Sequence, residues 1–163
     1  MRFLARRRLG GDVAFVEGWG LYAESLGDEL GVYQDPYAKI AYLQGALTRS
    51  ARMVADTGVH AQGWSKKQAV DYLVKTADMP VDDATAEVER FMALPGQTLA
   101  NGLGELKMME LRDKAKASQG AAFNPRRFHA EVLRDGSMPL DILEAKIERW
   151  LAAPATSEAP PSR

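Results

Sequence analysis

Apolar residues recur at helical spacing along almost the whole chain and alternating runs of β-branched residues are missing, so the sequence predicts an all-α protein. Its punctuation divides it into an irregular bundle of about six to seven helices. A first helix is expected from about Val13 to Leu30, stopped by Gly31; Asp35-Pro36 then pairs a cap with a helix-starting proline. The second helix places Ile40, Leu43, Leu47, Ala51 and Val54 on one face and ends near Gly58. Ser65-Lys66-Lys67-Gln68 is a capping box, in which serine and glutamine side chains satisfy backbone donors at a helix start. That helix runs through Tyr72 and Leu73 and ends at Met79-Pro80. Asp82 or Asp83 is expected to cap a short helix through Val88, Phe91 and Met92, closed by Pro95-Gly96. The next helix, about Gln97 to Ala117, carries Leu99, Leu103, Leu106 and Leu111 and stops at Gly120. Asn124-Pro125 opens a helix through Phe128, Val132 and Leu133, and a last helix aligns Leu140, Leu143, Ile147 and Trp150. Residues 1–153 read as one helical domain, and 154–163 as a disordered tail with too little apolar surface to offset ordering.

Charge narrows the partners. With 21 basic and 22 acidic residues the net charge is −1, which predicts no nucleic-acid groove and no anionic membrane surface as the main partner. Arg6-Arg7-Arg8 is the one basic cluster, and Gly10, Gly11 and Asp12 follow it where a signal peptide needs an apolar run. No stretch is apolar for long enough to span a bilayer. The setting is left open, with the cytoplasm the default expectation for want of a signal peptide. The absence of cysteine removes disulfides and thiolate metal sites.

Three constellations carry candidate chemistry. In Phe15-Val16-Glu17-Gly18-Trp19-Gly20-Leu21-Tyr22-Ala23-Glu24, two glycines interrupt a helix at about 1 kcal/mol each relative to alanine. They point to close approach by another backbone, a ligand or a metal beside Glu17. Glu17 and Glu24 share a face but lie about 10 Å apart along the axis, too far to hold one ion together. Arg52, Asp56 and His60, at i, i+4 and i+8, form a polar stripe. It suits a carboxylate-binding arginine and an aspartate-oriented histidine, or simply an Asp56–Arg52 ion pair with His60 near the helix C-terminus. Pro95-Gly96-Gln97-Thr98-Leu99-Ala100-Asn101-Gly102-Leu103-Gly104 suits an anion or oxyanion site at a helix start, or a plain helix entrance. Trp19, Trp64 and Trp150 read as packing residues, and His129 as a surface or packing histidine.

Taken with Asp35-Pro36-Tyr37, Gly63-Trp64, Phe128-His129-x-Glu131-Val132-Leu133 and Met138-Pro139-Leu140, these motifs resemble the bacterial family called domain of unknown function 885. The resemblance covers about Leu9 to Trp150. It implies the C-terminal part of a larger helical fold of the zinc-metallopeptidase type, whose full-length members carry an H-E-x-x-P-G-H-H segment upstream of the E-G-W motif. By that resemblance those histidines bind zinc, Glu17 matches the third ligand, and Glu24 is second to the metal or faces substrate. His60 would then bond the peptide carbonyl or tetrahedral intermediate, Arg52 hold a carboxylate, Asp56 fix the histidine tautomer, and Gln97 contact substrate. Asn101 stands where the family pattern has a tyrosine, and can donate a hydrogen bond but not a proton.

The expectation is therefore a C-terminal portion whose ancestral reaction is peptide hydrolysis, inactive and free of zinc by itself because the H-E-x-x-P-G-H-H segment is missing. Two other readings stay open. One is a split peptidase completed by another chain; the other is a non-catalytic helical module that covers an exposed apolar face by homodimerisation.

Overall fold

The computed structural model describes residues 11–153, and the basic triplet at 6–8 and the tail at 154–163 lie outside them. Among the described residues the fold is all-helical: α1 (Val13–Ser25), α2 (Pro36–Ala61), α3 (Lys66–Ala77), α4 (Val81–Ala93), α5 (Gln97–Gln119), α6 (Pro125–Leu133) and α7 (Leu140–Ala152). No helix among them is long and apolar enough to cross a membrane.

Most helix starts follow from local chemistry. Asp35 Oδ1 accepts from the Tyr37 amide at 3.0 Å ahead of Pro36, the Ser65 to Gln68 capping box is complete, and Asn124 accepts from the Arg126 amide at 2.9 Å. Other boundaries depend on distant contacts. α1 ends at Ser25 instead of near Leu30, because the Tyr33 hydroxyl donates to the Glu24 carbonyl at 2.9 Å while its ring lies where a Cβ on Gly27 would be. Gly58 does not stop α2, which runs on to Ala61; it leaves room for the Trp64 indole, whose backbone N–H donates to the Gly58 carbonyl at 2.9 Å. Neither Asp82 nor Asp83 caps α4. Pro80 holds that position, and both aspartates sit in the first turn, where the helix dipole favours negative charge.

Two apolar clusters hold the bundle. Ala51, Ala55, Ala69, Leu73, Ala77, Met79, Ala84, Val88 and Phe91 join α2, α3 and α4. Phe15, Tyr22, Met108, Leu111, Ala115, Phe128, Val132, Leu143 and Ile147 join α1, α5, α6 and α7. Each large side chain sealed this way contributes about 1.5–3 kcal/mol against the entropy of ordering the helices. A groove remains along α5 where the two groups meet.

The buried faces differ from the apolar stripes expected of two helices. On α2 only Ala51 of the expected stripe is buried, while Ile40, Leu43, Leu47 and Val54 are exposed; small residues let α3 and α4 approach closely. On α5 Leu103 and Leu106 face outward, and Thr98, Gly102, Gly104, Met108, Leu111 and Ala115 form the buried side. The reason is the crossing with α1. A Cβ on Gly18 would overlap the Gly104 backbone, and one on Gly104 would overlap the Ala14 carbonyl, so glycine on both helices permits backbone contact. Gly20 has no atom near its missing Cβ, and nothing in the fold explains it.

Candidate functional site

The groove between the clusters is a cleft of about 460 Å³. α1 contributes Val13, Glu17 and Leu21; α2 contributes Arg49, Arg52 and Met53; α4 contributes Arg90. From α5 come Gln97, Asn101 and Glu105, spaced at i, i+4 and i+8 so that they share one face. Four of the residues singled out in the sequence, Glu17, Arg52, Gln97 and Asn101, thus meet on one cleft from three helices.

The start of α5 is built around Asp56. This carboxylate is 1% exposed and accepts from the Gly96 amide at 3.1 Å, the Thr98 hydroxyl at 2.7 Å and His60 Nδ1 at 2.9 Å. It serves as a cap supplied from α2, where the N-cap of α5 is Gly96, which has no side chain to do this and takes φ +78. Because a carboxylate only accepts, the His60 proton sits on Nδ1. Asp56 and His60 do not line the cleft: they stand behind the first turn of α5, and Asp56 does not pair with Arg52.

Arg52 turns instead toward α4, where its Nε lies 3.1 Å from Glu87 Oε2 without meeting hydrogen-bond geometry. Arg90 donates to the same Oε2 at 2.8 Å and to Gln97 Oε1. Glu24 is half-buried and paired with Arg49 at 2.8 Å, beside the cleft and not among its lining residues. Glu105 is held above the usual carboxylate range by burial, opposed by Arg49 and reinforced by Glu24. Glu17 is exposed, with no hydrogen-bond or ion-pair partner among the described residues.

Sequence reasoning did not single out Arg49, Glu87, Arg90 or Glu105. Glu105 was within reach, as it continues the Gln97 and Asn101 face by one turn. Glu87 and Arg90 come from a different helix, so no local spacing connects them to Arg52.

His129 has a structural partner. Its Nε2 lies 2.8 Å from the Tyr22 hydroxyl, with the Trp19 ring edge-on at 5.6 Å. Burial, then Arg112, pushes the imidazole below its ordinary value, and burial pushes Tyr22 up to about 12, so the phenol donates to a neutral ring. Trp64 packs on the α2–α3–α4 cluster, and Trp19 and Trp150 on the other.

The resemblance implies zinc, an ion with a definite demand for ligands. A catalytic zinc takes about three protein ligands. Among the described residues no three His, Cys, Asp or Glu side chains are grouped to hold a metal. Glu17 offers a single carboxylate, and these residues do not by themselves fit the ion.

The fold and cleft define an all-helical protein with a polar groove between two packed helix groups. The chain belongs to the family described as bacterial protein of unknown function (DUF885), whose model matches residues 4–147. A "putative lipoprotein" from Colwellia psychrerythraea, known from its crystal structure, is 41% identical with a TM-score of 0.83, over 86% of this chain and 24% of that one. A protein from Shewanella oneidensis, described in the same terms and as of unknown function, shares the fold at 22% identity and a TM-score of 0.79, over 88% of this chain and 28% of that one. The chain therefore spans about a quarter of the length of these structures. Among curated proteins none matches.

Proposed function

We propose that this chain forms the C-terminal wall of a peptide-binding cleft in a protein of the zinc-metallopeptidase type, with Glu17 as one metal-facing carboxylate. The observation that carries the reading is Glu17 itself: a carboxylate without a partner among the described residues, on a cleft wall shared with Arg52, Gln97 and Asn101. The remaining metal ligands lie outside the described residues, so no bond-breaking step is assigned to these side chains alone. What they supply is binding. Gln97 and Asn101 offer amide donors and acceptors to a peptide backbone, and the arginines offer charge. Asp56 and His60 act behind them, holding the first turn of α5 in place. The test is to mix this chain with the upstream part of a full-length family member and assay hydrolysis of short peptides. Activity is expected in the mixture and in neither part alone; an inactive, properly associated mixture overturns the reading.

The exposed face of α2 favours a second reading. Ile40, Leu43, Leu47 and Val54 are each at least 43% exposed and follow the three-and-four spacing of a helix-pairing seam. A second copy of this chain would cover it. Light scattering would then report a dimer that Leu43→Glu with Leu47→Glu converts to monomer; a wild-type monomer at high concentration contradicts it.

A further inference from the structure

The cleft is electrically polar along α5. At one end stand Arg52 and Arg90, which share one oxygen of Glu87, at 3.1 Å and 2.8 Å, so two guanidinium groups face one carboxylate. The terminal nitrogens of Arg52 make no hydrogen bond among the described residues, and Gln97, held by Arg90 through its oxygen, keeps its amide hydrogens for a ligand. The Asp56 carboxylate is buried behind the turn, bonded to three donors, and pairs with neither arginine. At the other end lie Glu17 and Glu105, and the nearby Arg49 is already paired with Glu24.

We infer that the cleft selects short peptides with a free C-terminal carboxylate, held by Arg52, Arg90 and the Gln97 amide, with the chain running toward Glu17 and Glu105. An arginine fork matches a carboxylate's two oxygens, whereas a neutral C-terminal amide offers no charge and brings a second donor against the guanidinium groups. The span agrees. Gln97 to Glu105 covers about 12 Å of helix axis, the reach of about three to four extended residues. Glu105 at the acidic end then meets a peptide's ammonium group, so a zwitterionic tripeptide satisfies both ends. This deepens the peptide-cleft reading and rests on it.

Trialanine, trialanine amide and Ala-Ala-Glu amide, titrated calorimetrically into the intact chain without metal, test the inference. Trialanine is expected to bind at least about tenfold more tightly than its amide, with Ala-Ala-Glu amide as weak as the latter. Arg52→Gln and Arg90→Gln, checked for helix content, should each shrink that preference, and Gly20→Ala, which meets open space outside the cleft lining, should leave it. Equal binding of acid and amide, no binding of any peptide, or tight binding of Ala-Ala-Glu amide, which would move recognition to a side-chain carboxylate, overturns the inference. Loss of the acid preference with zinc uptake by the reconstituted pair intact overturns this inference alone. The preference without zinc uptake overturns only the metal-facing role of Glu17.

Discussion

Gly18 and Gly104 meet backbone to backbone where α1 crosses α5, and this contact sets Glu17 on the cleft wall beside Asn101 and Glu105. The motif that raised the question of a metal and the helix-crossing motif are the same residues. Gly18 is explained by packing, and the carboxylate next to it is not.

Neighbouring glycines should respond in opposite directions. Gly18→Ala forces α1 away from α5 and should cost about 1–3 kcal/mol. Gly20→Ala meets open space and should gain about 0.4–1 kcal/mol through helix propensity and a less flexible unfolded chain. Urea unfolding of both variants checks the sign, and equal effects would contradict the crossing.

Asp56→Ala should be among the most damaging polar substitutions, because it leaves the Gly96 amide and the Thr98 hydroxyl without their acceptor. A loss of about 2–4 kcal/mol is expected from donors left unpaired in a buried site. His60→Ala keeps both of those bonds and should cost less than about 1.5 kcal/mol. Chemical denaturation separates the two; a larger effect at His60 would make the histidine, and not the cap, the main element.

The Tyr22–His129 pair makes stability pH-dependent. His129 is shifted below 6.5 in the folded protein, so the unfolded chain binds more protons in that range. Its contribution is complete above pH 6.5 and is lost as pH falls toward the folded value. Glu105 has the opposite sign: its folded value lies above 4.5, so its burial costs stability as pH rises through that value. Thermal melts across this range should show a smaller acid-side loss in His129→Gln, and Glu105→Gln should raise neutral-pH stability. Parallel profiles for wild type and both variants would contradict these assignments.

Much of the fold was legible because its signals are local. Asp35-Pro36, Ser65 to Gln68 and Asn124-Pro125 begin helices by bonds spanning two or three residues. The end of α1 was not, since it depends on Tyr33 folding back over Gly27. Periodicity identified the α2 and α5 apolar stripes but not what they touch, and the glycines and alanines that let helices approach proved to be the buried positions. Gln97, Asn101 and Glu17 could be read as candidates from their motifs and the family resemblance, and the fold brings all three to one cleft. The Arg52–Glu87–Arg90 arrangement could not, because it exists only once α2 and α4 pack together.

Zinc affinity in a mixture of this chain with the upstream part of a full-length family member, measured with Glu17 and with Glu17→Gln, tests the metal-facing role of Glu17 most directly. If Glu17 is a metal ligand, the mixture binds zinc and the substitution weakens binding by more than about 100-fold, beyond the loss typical of residues one step removed from the metal. Equal zinc affinity with and without the Glu17 carboxylate would contradict the account.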